Sequence, residues 1–168
     1  MCAGLLLFLG TQLMSCKKKN PDPNTDVDPI DQDTTGVDTS STTNLLSSIE
    51  INLSEMASTN GTINLAIYNN SSTFNDPNQV YRHVFLPCTA SQMNLQIDSL
   101  PAGDYAFAIF HDENNNNELD QNWLGIPTEG FAFSNNANGT FGPPSWTQAQ
   151  FSLPESSVLT QDISLIFY

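Results

Sequence analysis

The sequence predicts an all-β domain, a single sandwich of about seven strands with one long ordered loop. Three observations carry that prediction. After Asn44, apolar and polar residues alternate with a period of two. No stretch beyond residue 45 sustains a helical period for more than a turn or two. One interval, from a strand ending near Phe110 to another starting near Gln148, exceeds thirty residues and is rich in aromatic side chains, whereas a hairpin needs only ~2 to 5 residues.

Taken in chain order, residues 1–16 contain "GLLLFLGTQLMSC", an apolar run too short to span a bilayer as a helix, followed at once by Lys17, Lys18 and Lys19. That is the pattern of a signal peptide. Its last four letters, with Leu13, Ser15 and Cys16, resemble a lipobox in which Cys16 would be lipidated; an ordinary cleaved signal peptide is the alternative. Residues 17–44 are rich in Asp, Pro, Ser and Thr and contain no aromatic residue. Too little apolar surface is available there to offset the entropy of ordering, so the segment is expected to be a disordered acidic tether, reaching roughly 30 Å.

The folded domain is expected over residues 45–168. "SIEINLS" sets Ile49, Ile51 and Leu53 on one face, and "TINLAIYN" does the same with Ile63, Leu65 and Ile67. "YRHVFLP" and "MNLQIDS" follow. "LPAGDY" is turn chemistry, with Pro101 presetting φ and Gly103 able to supply a positive one. "DYAFAIFHD" is apolar on both faces and reads as a central strand. "AQFSLP" and the terminal "QDISLIFY" complete the set. The number and spacing of these strands suit an immunoglobulin-like or transthyretin-like sandwich.

Charge narrows the function. The chain carries 18 Asp and Glu against 4 Lys and Arg, a formal net charge of −14. Beyond residue 45 the only Lys or Arg is Arg82. Such a surface repels phosphate backbones and anionic headgroups, so nucleic acid is not an expected partner, and a membrane is expected only through the lipid anchor. Small cations are the natural ligands. Of the three cysteines, only Cys88 belongs to the folded part, where it reads as a small buried hydrophobe.

The long loop opens with "DENNNNELD". Calcium is a hard ion that takes ~6 to 8 oxygen ligands, and side chains at alternate positions of a tight turn can deliver several of them to one point. Asp112, Asn114 and Asn116 occupy those positions, Glu118 stands where a backbone carbonyl would serve, and Asp120 follows. Two features of an EF-hand loop are missing. Asn117 replaces the usual glycine, a small change because Asn tolerates the left-handed conformation. Trp123 stands where a bidentate Glu is usual, so a ligand must come from elsewhere; Glu129 is the candidate and Glu113 the reserve. The competing reading is a metal-free loop that turns through its own Asn side chains. Zinc held by His111 with His83 or Cys88 lacks any matching spacing.

Trp123, Phe131, Phe133, Phe141 and Trp146 are candidates for a platform that stacks a sugar ring or a peptide, or else for a satellite core that holds the loop on its sheet. A hydrolase would draw on His111, Asp112 and Glu129, but neither a G-x-S-x-G elbow nor an H-E-x-x-H helix is present.

Residues 100–151, "LPAGDYAFAIFHDENNNNELDQNWLGIPTEGFAFSNNANGTFGPPSWTQAQF", resemble the bacterial family called domain of unknown function 2141. The shared blocks are a proline-glycine turn, a Tyr-Ala strand, an Asp- and Asn-rich loop, a "GIPTEG" block and a "GPPSW" block, in that order. Asn116, Asn117 and Glu118 stand in place of the commoner Asn-Gly-Lys, differing at the second and third positions. The resemblance implies a secreted or lipid-anchored β-sandwich of unassigned biochemical role; it marks Glu129 as part of a family block and supplies no catalytic residue. The expectation is therefore a calcium-binding, lipid-anchored extracytoplasmic module, with a carbohydrate-binding module or a hydrolase as alternatives.

Overall fold

The computed structural model describes residues 45–140 and 142–168. The expected leader with Cys16, the acidic tether at 17–44 and Phe141 lie outside the described residues. Among the described residues, strands β1 (Ser47–Ser54), β2 (Thr62–Tyr68), β3 (Arg82–Pro87), β4 (Met93–Leu100), β5 (Gly103–Asp112), β6 (Phe131–Phe133), β7 (Phe151–Leu153) and β8 (Val158–Ser164) form two sheets. The all-β sandwich is as the alternation predicts.

In the first sheet the order is β4-β1-β8, with β1 antiparallel to β4 and parallel to β8. The second sheet runs β3-β2-β5-β6, with β7 also on β5. Period-two alternation decides what lies between them. Ile49, Ile51 and Leu53 from β1 meet Ile63, Leu65 and Ile67 from β2 and Phe107 and Ile109 from β5 in one apolar cluster, and all eight are buried. Among the described residues, both sheets and all the buried apolar side chains fall within Ser47–Leu165, so this span carries a hydrophobic core of its own.

Strand β5 is the centre of the second sheet. It pairs with β2 along its length, with Ile67 opposite Phe107 and Ile63 opposite His111. Its other edge is shared: β7 covers the start, with Gly103 opposite Leu153, and β6 covers the end, with Phe110 opposite Phe131. In the gap between them the Phe107 N–H donates to the Ser134 hydroxyl at 3.0 Å, and that hydroxyl donates to the Ala149 carbonyl at 2.6 Å. A buried strand N–H is thus satisfied without a strand partner.

Three details differ from the sequence reading. The long interval is not loop throughout, because it contributes β6 and a one-turn helix, α1 (Trp146–Ala149). The last strand begins at Val158, three residues before the expected "QDISLIFY". Gly103 starts β5 with no positive φ; the left-handed residue nearby is Ser99 at φ 62°, inside β4, where its register against β1 shifts.

Candidate functional site

The site is built at the end of β5. Alternation turns His111 toward the inter-sheet core and Asp112 toward the outer face of the second sheet, and both are fully buried. Asp112 opens the loop and fixes its shape. Its Oδ1 accepts the Asn116 N–H at 3.0 Å, while its Oδ2 accepts the Asn117 N–H at 2.8 Å and the Asn64 Nδ2 at 3.3 Å. Accepting two successive N–H groups forces a tight reversal, and Asn115 (φ 60°) and Asn117 (φ 63°) adopt the left-handed conformation it needs. Asn117 therefore does what glycine would do there.

The remaining donors fold onto one another. Asn114 Oδ1 accepts the Asn116 N–H at 3.0 Å, and Asn116 Oδ1 accepts the Glu118 N–H at 2.8 Å. The amide nitrogens of Asn114 and Asn116 reach the two carboxylate oxygens of Asp120, at 2.6 and 3.0 Å. Asp112, Asn114, Asn116 and Asp120 thus form one hydrogen-bonded group. Glu118 joins it through its backbone, with its side chain exposed. Glu113 accepts from the Ser58 hydroxyl at 2.7 Å.

Glu129 has a role that spacing alone did not reveal. Nearly buried at 6 % exposure, it accepts the Glu113 N–H at 2.9 Å through one oxygen and the Asp120 N–H at 3.1 Å through the other. One carboxylate thereby ties the two ends of the loop together. Charge-assisted bonds to backbone N–H groups are among the stronger hydrogen bonds, which suits a clamp.

Two residues beside the loop have roles that the sequence does not announce. Asn64 looks like an outward position of an alternating strand, yet it is buried; its Oδ1 has no partner, while its amide nitrogen meets Asp112. Gly61, at φ 73°, lets the β1–β2 connection press on the end of β5, where any Cβ would collide with the Asp112 carbonyl. That close approach also brings the Asn60 carbonyl to His111 Nε2 at 2.7 Å, leaving Nδ1 buried without a partner.

The aromatic residues separate into different surroundings. Phe133 and Trp146 pack edge-on against Phe74, with ring centroids 6.2 and 5.7 Å from it, over Ala106 and Ala149 on the outer face of the second sheet. Phe131 lies between Phe133 and Tyr168. Trp123 stands apart at 90 % exposure. Of the residues named for a zinc site or a hydrolase, His83 stacks on Phe85 at the sheet edge, whereas His111 faces the core. Cys88 is buried, and burial raises its thiol pKa above the ordinary value. Among the described residues, no group of three or more His, Cys, Asp or Glu side chains is gathered as a metal site; the cluster at Asp112 is made of two carboxylates and two amides.

The model of a family described as "uncharacterized protein conserved in bacteria" (DUF2141) matches residues 51–161. That span begins inside β1 and ends inside β8, and it includes the whole loop. No curated protein and no solved structure matches the chain.

Proposed function

Because the chain belongs to the DUF2141 family of bacterial proteins, in which no activity is assigned, we propose its role from the chemistry of the loop. It is a calcium-binding, lipid-anchored extracytoplasmic module that works as a structural or ligand-binding element through the 111–146 excursion. The observation that carries this reading is the cluster itself. Asn114 and Asn116 bond the two carboxylate oxygens of Asp120 directly, and Asp112 is joined to them through the Asn116 N–H, which it shares with Asn114 Oδ1.

The donor set suits a hard cation, since carboxylate and amide oxygens are what calcium selects. Asn114 and Asn116 direct N–H groups at Asp120, so the carboxylate is neutralised only by weak dipoles. A cation beside Asp120 would displace those two amide nitrogens and take the Asp120 carboxylate together with Asn114 Oδ1, Asn116 Oδ1, the Glu118 carbonyl and Glu129 as ligands. Asn64 Oδ1, buried and unpartnered on the amide that bonds Asp112, adds a polar atom in need of a partner. The lipobox-like Leu13–Cys16 segment supports the anchor and the location outside the cytoplasm.

Calorimetric titration of metal-free protein with calcium tests the reading. One ion is expected to bind per chain, and Asp120→Asn, which keeps the shape and removes the charge, is expected to weaken binding at least about tenfold, a difference of about 1.4 kcal/mol. Equal affinity in both proteins would exclude Asp120 as a ligand, and absence of binding to the parent protein would remove the proposal.

A further inference from the structure

Beyond the clamped base of the loop, Asp120–Thr128 forms a small rigid arm. The Thr128 N–H donates to the Asp120 carbonyl at 2.8 Å, Gln121 pairs with Pro127, and the Asn122 N–H donates to the Ile126 carbonyl at 2.9 Å. At the tip, Asn122 Oδ1 accepts the N–H groups of Leu124 and Ile126 at 2.9 and 3.1 Å, and its carbonyl accepts that of Gly125, whose φ is 76°. These bonds hold the tip in one shape. What it presents is apolar: Trp123 is 90 % exposed, Leu124 60 % and Ile126 37 %. Contiguous apolar side chains displayed to water on a fixed support mark an interaction surface.

We propose that the Trp123–Leu124 tip is a wedge that enters the interfacial zone of a phospholipid bilayer when calcium occupies the loop at the base of its arm. This rests on the calcium reading above. Two observations select a bilayer as the occupant. The tip sets an exposed indole beside exposed aliphatic side chains, which matches the amphipathic chemistry of the membrane interface and needs no complementary cleft. The base of the arm presents Glu113, Glu118 and Asp120 toward solvent, above the buried Asp112 and Glu129, and Arg82 is the only Lys or Arg beyond residue 45. Lipid phosphates are repelled by that base until a divalent cation stands between the two sets of oxygens. The acidic surface that rules out simple electrostatic docking thus becomes a requirement for the ion.

The test is sedimentation of the 45–168 domain, which carries its own hydrophobic core, with vesicles of phosphatidylethanolamine and phosphatidylglycerol. Calcium is compared with chelator, and calcium-dependent melting is recorded on the same samples. The domain is expected to sediment with vesicles in calcium, at least about tenfold less in chelator, and at least about tenfold less as Trp123→Ala/Leu124→Ala. That variant, altered only at exposed positions, is expected to keep its calcium-dependent melting shift. A calcium-dependent melting shift without vesicle binding by the parent domain overturns the wedge and leaves the calcium reading standing, whereas no shift at all removes both. Vesicle binding that survives the chelator or the double substitution also overturns it.

Discussion

Single residues at the end of β5 show how tightly the loop geometry is specified. Asp112 is legible in the sequence because an acid followed by Asn at alternate positions after a strand is a recognisable loop opener. Asn117 is legible too, since its tolerance of positive φ lets it replace glycine. Glu129 and Asn64 are not legible in the same way. The clamp made by Glu129 depends on where the chain returns after the arm, and the burial of Asn64 depends on its packing beside Asp112 and the folded loop, so neither follows from local spacing. Gly61 is the sharpest case. A Cβ there meets the Asp112 carbonyl, and φ is 73°, so Gly61→Ala is expected to cost about 2 kcal/mol or more. Chemical denaturation would measure it; an unchanged midpoint would show that the β1–β2 connection can move away from Asp112 freely.

At the level of elements, the long strands announce themselves and the short ones do not. Strands β1, β2, β4 and β5 each run for seven residues or more, long enough for a period of two to be unmistakable. Strand β6 is three residues, "FAF", and so short a segment has no measurable period; its strand state comes from pairing with β5. Its junction with β7 offers a direct check. Ser134→Ala removes the acceptor for the Phe107 N–H and leaves that buried donor unpaired, at an expected cost of about 1 to 3 kcal/mol. Amide hydrogen exchange should accelerate at Phe107 more than at Ile109, which keeps its strand pairing. Equal protection at Phe107 before and after the substitution would mean that another group satisfies this N–H.

For the whole molecule, the sandwich and its core followed from alternation, while the cluster on the outer face did not. Phe74 and Tyr68, 5.5 Å apart edge to face, join Phe133 and Trp146 from distant parts of the chain, and only the tertiary fold reveals that. Burial of the apolar body around Tyr68 has a measurable consequence. Desolvation, with a smaller contribution from Asp76, raises the Tyr68 pKa above 10.0, and desolvation with Tyr81 nearby does the same for Tyr105. A folded-state pKa above the unfolded value means that unfolding releases protons at high pH, so stability is complete below about pH 10 and falls as the pH rises beyond it. Denaturation midpoints followed through that range should decline, and in Tyr68→Phe the decline should be shallower. A midpoint independent of pH above 10 would contradict this.

The central claim is that a divalent cation completes the cluster at Asp112, and thermal melting with and without calcium tests it most directly. A ligand held only by the folded state stabilises it by about 2.7 kcal/mol at a hundredfold excess over its dissociation constant, on the order of 10 °C for a domain of this size. A melting temperature that climbs with calcium concentration in the parent protein, and that needs at least about tenfold more calcium for the same rise in Asp120→Asn, is the predicted result. A melting temperature indifferent to calcium and to chelator alike would contradict it, leaving the Asn amides on Asp120 as the finished structure of the loop.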